Sequence, residues 1–120
     1  MAHYEGLTLL EASAAEGTYL ARLRLEPSSP LLRGHFPGHP ILPAIAHLGL
    51  ALEGARSLEQ RDLTLVGVRG VRFRRPVEPG AALKLVVAHG VGAGALRFEL
   101  RCGEILASSG TLVVSTDGRG

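Results

Sequence analysis

One long helix is predicted over residues Pro43–Leu58, which read PAIAHLGLALEGARSL. A proline fits the first turn of a helix, because its missing N–H group would have no intrahelical partner there. Apolar residues cover most of the circumference in the first half of this stretch, and charged side chains appear only toward its end. A helix that is apolar on nearly all sides is enclosed by protein. We therefore expect this helix to form the centre of the fold.

Stretches with strand-like patterns lie on both sides of this helix, and several alternate apolar and polar residues with period two. The stretches with these patterns are Leu7–Ala12, Tyr19–Leu25, Leu63–Val68, Val71–Phe73, Ala82–His89, Ala95–Cys102 and Ile105–Val114. Short turns between successive strands imply antiparallel pairing. The apolar face of the resulting sheet must be covered, and the single helix is the only predicted element that can cover it. We therefore expect an α+β fold in which a sheet of about five or six strands curls around the helix and carries its arginines on the outer face.

The composition indicates one ordinary globular domain, which we place at residues 1–115 with a flexible tail at 116–120. Aromatic residues make up only 4% and the net charge is +2, so a nucleic-acid partner is not expected. The longest apolar stretch, Ile41–Ala51, is too short to span a membrane. A single cysteine and the absence of a signal-peptide pattern lead us to expect a cytoplasmic protein.

The segment Gly34–Pro43, GHFPGHPILP, is dense in glycine and proline, contains two histidines, and runs directly into the helix. This signature segment resembles the signature of the β-hydroxyacyl-[acyl-carrier-protein] dehydratases, the FabA/FabZ-like group of hotdog-fold proteins. A second stretch, Val71–Gly80, is similar to the strand that follows the helix in that family. The resemblance covers about Leu7 to Ser115, and the hotdog fold it implies agrees with the helix wrapped by a sheet.

The resemblance implies the reversible removal of water from a 3-hydroxyacyl thioester in fatty-acid or related lipid or polyketide synthesis, without a cofactor. A base must take a proton from C2, an acid must protonate the leaving hydroxyl group, and the thioester carbonyl must be polarised. By resemblance, His35 is the base and backbone N–H groups near Ala44 hold the carbonyl. The residues expected to contact the substrate are Phe36, Pro43, Ala44, Ile45, Leu48 and Gly49.

One position departs from the family pattern. The family's acid is a carboxylate on the helix, fourteen residues after the catalytic histidine, and in this chain that position is Gly49. Glu53 lies one turn further along on the same face and is the possible substitute acid, although it is about 6 Å away along the axis. Gly49 itself is expected either to pack closely at a dimer interface or to widen the acyl pocket. His47 points away from Gly49 and is expected to be a buried, hydrogen-bonded residue.

Other polar residues receive more ordinary assignments. Arg72, Arg74 and Arg75 are expected to form a solvated strand face or to contact an acidic acyl carrier protein, since arginine suits phosphate and carboxylate groups. The spacing of His35, His39 and His47 matches no standard metal site, so no metal is expected. Cys102 continues the inward alternation of its strand and is expected to pack inertly.

Several functions remain open from the sequence. The first is a dehydratase acting on thioesters of acyl carrier protein or coenzyme A. The second, motivated by Gly49, is a non-catalytic acyl-thioester binding module, or one half of a heterodimer whose partner supplies the missing carboxylate. A hotdog thioesterase is the third. We expect a homodimer, or a higher oligomer of dimers, because the pockets of the family lie between subunits.

Overall fold

A computed structural model describes residues 6–32 and 41–116 of the chain. Within these ranges the elements are β1 (Leu7–Ala15), β2 (Thr18–Leu25), a 3₁₀ turn (Pro30–Leu32), α1 (Ala44–Glu59), β3 (Thr64–Phe73), β4 (Ala82–His89), β5 (Ala95–Cys102) and β6 (Ile105–Ser115). The six strands form one antiparallel sheet in the order β1-β2-β4-β5-β6-β3. The expected α+β architecture, with its single helix and curled sheet, is therefore confirmed.

The helix presents one face to the sheet. Its buried residues recur at the i, i+3, i+4 spacing of a single helical stripe, and they are His47, Leu50, Ala51, Gly54 and Ala55. These residues pack mainly against β4 and β2 and, to a smaller extent, β5 and β6. The inner faces of β2 and β5 supply the opposing apolar side chains, as their alternation predicts, including the fully buried Leu23 and Leu100.

The prediction that protein encloses the helix on all sides is wrong for the described chain. Ala44, Ile45 and Gly49 are exposed, and 71% of the Ile45 surface is accessible. The reason is that the sheet covers only one stripe of the helix. The opposite side of its first turns has no cover among residues 6–32 and 41–116.

Two strands are longer than the sequence predicts by more than one residue. β1 continues past Ala12 to Ala15, where it joins β2 through a tight turn in which Glu16 and Gly17 both have positive φ, 53° and 76°. The predicted strands Leu63–Val68 and Val71–Phe73 are one strand, β3, with an irregularity around Gly70 (φ 57°). A left-handed glycine permits this β-bulge without ending the strand.

Within the described ranges, no helix is both long enough and apolar enough to cross a membrane.

Candidate functional site

The signature segment is described only at its end. Gly34 to Pro40, including the predicted base His35 and the predicted substrate contact Phe36, lie outside the described residues. The description resumes at Ile41, and the N–H group of the buried Leu42 donates a hydrogen bond to the carbonyl oxygen of Val77 at 2.8 Å. The end of the signature segment is thus fastened to the loop that precedes β4.

The first turn of the helix, residues 43–46, is open to solvent on one side. Pro43 is the N-cap residue, with φ −68° and ψ 155°, and makes no side-chain capping bond. The first hydrogen bond of the turn runs from the N–H of Ala46 to the carbonyl of Pro43 at 3.0 Å. The N–H groups of the exposed Ala44 and Ile45 precede this bond, so they have no partner within the helix. The turn can therefore offer two donors, at the positive end of the helix dipole, to an external oxygen.

Gly49 faces open space on the same side of the helix as Ile45. A Cβ atom built on Gly49 would have no atom of the described residues within 4 Å. This finding excludes tight packing of Gly49 against the described part of its own chain. Leu48, by contrast, is half-buried and packs against the core. Of the predicted substrate contacts on the helix, Ala44, Ile45 and Gly49 share the open side, whereas Leu48 does not.

Glu53 lies in a different environment from the first turn of the helix. Its carboxylate is 3.4 Å from the Arg56 guanidinium, and three quarters of its side chain is shielded from solvent. It lines a groove of about 840 Å³ between the second half of the helix and the β1–β2 hairpin, together with Leu9 and Tyr19. The structure therefore does not bring Glu53 together with the open first turn, and its role as the substitute acid stays a prediction.

His47 is buried on the sheet-facing side of the helix, 4% exposed, as the sequence analysis expects. Its Nδ1 atom lies 2.8 Å from the hydroxyl oxygen of Ser108 on β6, which is fully buried. The ring also meets Phe73 edge-on, with centroids 5.3 Å apart. Burial lowers the pKa of His47 below its ordinary value of 6.5, and a hydrogen bond with the backbone of Leu42 partly opposes this effect. The imidazole is therefore neutral at neutral pH.

The arginines predicted to contact a carrier protein are exposed. Arg72, Arg74 and Arg75 surround or follow Phe73 at the end of β3. The backbone N–H groups of Arg74 and Arg75 both donate to the carbonyl of Ala107, at 2.7 and 3.2 Å. Because Phe73 contacts His47, these cations lie at the same end of the sheet as the first turns of the helix. A contact with a carrier stays a prediction.

Phe73 and Gly54 are two residues of this region whose roles the sequence analysis missed. Phe73 lies opposite the buried Ser108, on the inner face of the sheet, yet it is 47% exposed because the edge of the sheet extends beyond the helix. Gly54 is the glycine that permits close packing: a Cβ atom there would lie 2.9 Å from both Leu85 and Val87. The i, i+3, i+4 pattern ending at Ala55 is the signal that places Gly54 on the buried face.

Cys102 packs against the core and is half-buried, as predicted. Burial, together with the nearby Glu78 charge, raises the pKa of its thiol. No group of three potential metal ligands occurs among residues 6–32 and 41–116.

Comparison with known sequences gives a consistent family. Residues 11–111 match the sequence model of the ApeI-like family, described as ApeI dehydratase. The 3-hydroxyacyl-[acyl-carrier-protein] dehydratase FabZ of Thermomicrobium roseum is 35% identical over 102 residues, which cover 75% of this chain and 68% of that protein. The FabZ dehydratase of Thermus thermophilus is 37% identical over 83 residues, 58% of each chain. The alignments with the first such relatives span 45% to 68% of their length.

Solved structures share the fold. A chain of the dehydratase heterocomplex ApeI:P from Xenorhabdus doucetiae superimposes with a TM-score of 0.80 at 25% identity, covering 88% of this chain and 95% of that one. An uncharacterized protein from Erwinia carotovora subsp. atroseptica gives a TM-score of 0.76 at 25% identity, covering 92% and 97%. These comparisons confirm the hotdog fold and the resemblance carried by the signature segment.

Proposed function

Because this chain belongs to the ApeI-like dehydratase family, we propose that it catalyses the reversible removal of water from a 3-hydroxyacyl thioester. The observation that carries this proposal is the open first turn of the helix. Its two N–H groups, which have no partner within the helix, directly follow the signature segment, and a Cβ atom at Gly49 would meet no atom of the described residues within 4 Å. The reaction class is that of a hydro-lyase, as in the FabZ relatives.

In the proposed reaction, His35 removes a proton from C2 of the acyl chain. The N–H groups of Ala44 and Ile45 donate to the thioester carbonyl oxygen, which gains negative charge as the C2–H bond breaks. The C3–O bond then breaks, the hydroxyl group leaves as water, and a C2–C3 double bond forms. Since Gly49 supplies no carboxylate, the leaving oxygen takes its proton from the protonated His35, either directly or through a water molecule that His35 reprotonates, and His35 returns to its neutral form. Phe36, Pro43 and Leu48 complete the proposed contacts with the acyl chain.

The carrier of the thioester is proposed to be an acyl carrier protein, because the FabZ relatives are named for that substrate. The exposed guanidinium groups of Arg72, Arg74 and Arg75 provide a cationic surface at the helix-start end of the sheet, suited to a phosphate or an acidic partner. A coenzyme A thioester carries the same reacting group, and a direct comparison of the two substrates distinguishes them. Activity on such substrates would agree with the cytoplasmic location predicted above.

The assembly is proposed to be a homodimer. β3 lies at one edge of the sheet, and its Val68 is opposite the buried Leu112, so Val68 faces inward although 43% of it is exposed. Ile45 adds a second uncovered apolar side chain on the helix. A second copy placed against this edge would cover both and would enclose the space beside Gly49.

A second candidate function follows from the absence of a carboxylate at Gly49. In this alternative the chain is a non-catalytic binding module, or it is one half of a heterodimer whose partner supplies the missing carboxylate. The structural relative from Xenorhabdus doucetiae belongs to a dehydratase heterocomplex, which supports this alternative. Under it, the purified chain alone is inactive, and Gly49→Glu raises the rate because it restores the carboxylate at a position whose Cβ atom would meet no described atom within 4 Å. Gly49→Gln, which has the same size but no acidic proton, is the matched control.

The proposed activity is tested by following the hydration of a short 2-enoyl thioester, presented on acyl carrier protein and on coenzyme A. We expect hydration by the wild-type chain, loss of at least about a hundredfold in His35→Ala, and little change in His39→Ala. Unchanged hydration in His35→Ala would refute the assignment of the base. Release of free thiol without hydration would instead identify a thioesterase.

A further inference from the structure

Two of the three buried polar side chains in the described ranges, His47 and Ser108, are bonded to each other. They are 61 positions apart in the sequence, and their ring nitrogen and hydroxyl oxygen are 2.8 Å apart. A buried imidazole loses its hydration, so an apolar side chain would fill the same stripe of the helix at lower cost. Buried polar pairs of this kind contribute little net stability. Their main effect is to fix one arrangement of the groups that they join.

The ring of His47 contacts two strands of the sheet. It bonds to Ser108 on β6 and meets the ring of Phe73 on β3. The N–H group of Leu42, just before the helix, is held separately by the carbonyl of Val77. His47 therefore ties the first turns of the helix to the sheet beneath them.

The position of Leu42 determines where the helix begins. Only Pro43 separates it from Ala44, and proline fixes its own φ near −65°. A shift of Leu42 would thus be passed on to the N–H groups of Ala44 and Ile45. Ala44 and Ile45 are themselves exposed.

We propose that His47 is a positioning residue: its side chain, hydrogen-bonded to Ser108 and packed edge-on against Phe73, holds the start of the helix so that the first-turn N–H groups keep the orientation that receives the thioester carbonyl oxygen. This inference rests on the proposed function for its catalytic meaning. Its structural part, the restraint on the start of the helix, stands independently. His47 does not touch the substrate and transfers no proton in the reaction.

The proposal predicts an effect on kcat and not on KM. Donors aimed at a developing oxyanion interact more strongly with the transition state than with the ground-state carbonyl. A misplaced donor therefore slows the chemical step and leaves ground-state binding nearly unchanged. A residue that served packing alone would, once the protein is folded, leave both parameters as they are.

The experiment compares His47→Leu, His47→Gln and Ser108→Ala with the wild type. Leucine fills similar volume without polar atoms, glutamine keeps one donor and one acceptor, and alanine at position 108 removes only the Ser108 bond. The matched control is His89→Gln, because His89 pairs with Glu59 at 3.1 Å at the opposite end of the helix. Two readouts are taken: hydrogen exchange of the Leu42 amide by NMR, and the kinetics of enoyl-thioester hydration.

For His47→Leu we expect the Leu42 amide to exchange about tenfold faster than in the wild type. We also expect kcat to fall by about tenfold, which is less than the loss that follows complete removal of an oxyanion donor. KM should stay within about twofold, and His47→Gln should recover much of both losses. Ser108→Ala should give a smaller change of the same kind. The control should match the wild type.

Wild-type Leu42 exchange and wild-type kcat in a folded His47→Leu protein would overturn the proposal. If His47→Leu does not fold, the same outcome in Ser108→Ala and His47→Gln together overturns it. If the wild type itself does not hydrate the thioester, the proposed function fails, while the exchange of the Leu42 amide still decides the positioning role.

Discussion

The carboxylate of Glu53 and the guanidinium of Arg56 form an ion pair across one turn of the helix, with 3.4 Å between oxygen and nitrogen. Arg56 also donates two hydrogen bonds, at 2.9 and 3.2 Å, to the carbonyl of Leu63 in the connection to β3. Glu53 thus helps to orient the side chain that fastens the end of the helix. Its neighbours point to a structural role, in contrast to the acid role that its spacing from Gly49 suggests.

Replacing Glu53 by glutamine should therefore change the hydration rate by less than about twofold, because a partly exposed ion pair contributes at most about 1 kcal/mol and the first turn is not touched. The measurement is enoyl-thioester hydration, with urea unfolding as the check on folding. A loss of about a hundredfold or more in a folded Glu53→Gln protein would show that Glu53 acts as the acid.

The two helix glycines should respond oppositely to alanine. Gly54→Ala places a methyl group 2.9 Å from Leu85 and Val87, and such overpacking costs about 1–3 kcal/mol, more than the gain in helix propensity. Gly49→Ala meets no described atom within 4 Å and should stabilise the protein by up to about 1 kcal/mol. Urea unfolding measures both. Equal destabilisation by the two variants would indicate that something outside the described residues packs on Gly49.

The sequence predicts most of the fold because its strands are covered on one face. β2 and β5 show period two clearly, since Leu23 and Leu100 point into the core and their neighbours point out. The end of β1 was missed because Ser13 and Ala14 are exposed on a hairpin that extends beyond the core, so no alternation marks it. β3 is predicted as two separate strands because Gly70 interrupts the pattern, and glycine is favoured in a β-bulge as well as in a turn.

The candidate site could be predicted only where its residues are contiguous. The signature segment and the gap at Gly49 are visible in the sequence because their spacing is local. The bond between His47 and Ser108 depends on the register of β6 against the helix, and no local pattern encodes that register. The Glu53–Arg56 pair is local, yet the Leu63 carbonyl that fixes Arg56 comes from the chain reversal after the helix.

The stability of the protein should fall at mildly acidic pH partly through His47. Burial lowers the pKa of His47 in the folded state, so the unfolded chain takes up a proton first as the pH falls. The contribution of His47 to the free energy of unfolding is fully present above pH 6.5, the ordinary pKa of histidine. It is lost as the pH falls from there toward the lowered pKa of His47 in the folded state. The loss is at most about 1.4 kcal/mol per pH unit.

Urea unfolding at pH 7.5 and pH 5.5 tests this effect in the wild type and in His47→Gln. The difference in unfolding free energy between the two pH values should be smaller in the variant, which has no titrating group at this position. Equal differences in both proteins would contradict a contribution from His47.

The exposed inner face of β3 should form the dimer contact. Val68→Glu places a charge opposite Leu112 at the uncovered edge of the sheet, and a desolvated, unpaired carboxylate is strongly unfavourable. Light scattering should show a dimer for the wild type and a monomer for this variant. Val91→Glu is the control, since Val91 is 94% exposed in the turn between β4 and β5. A wild-type monomer, or a dimer that persists in Val68→Glu, would contradict this interface.

His35 is proposed to transfer the C2 proton of an acyl thioester held at the start of the helix. Hydration of a crotonyl thioester in D₂O, analysed by mass spectrometry and NMR, shows whether one deuterium enters at C2. We expect a 3-hydroxyacyl product with one C2 deuterium from the wild type and from His39→Ala, and none above background from His35→Ala. Equal C2 labelling by a folded His35→Ala protein would contradict it.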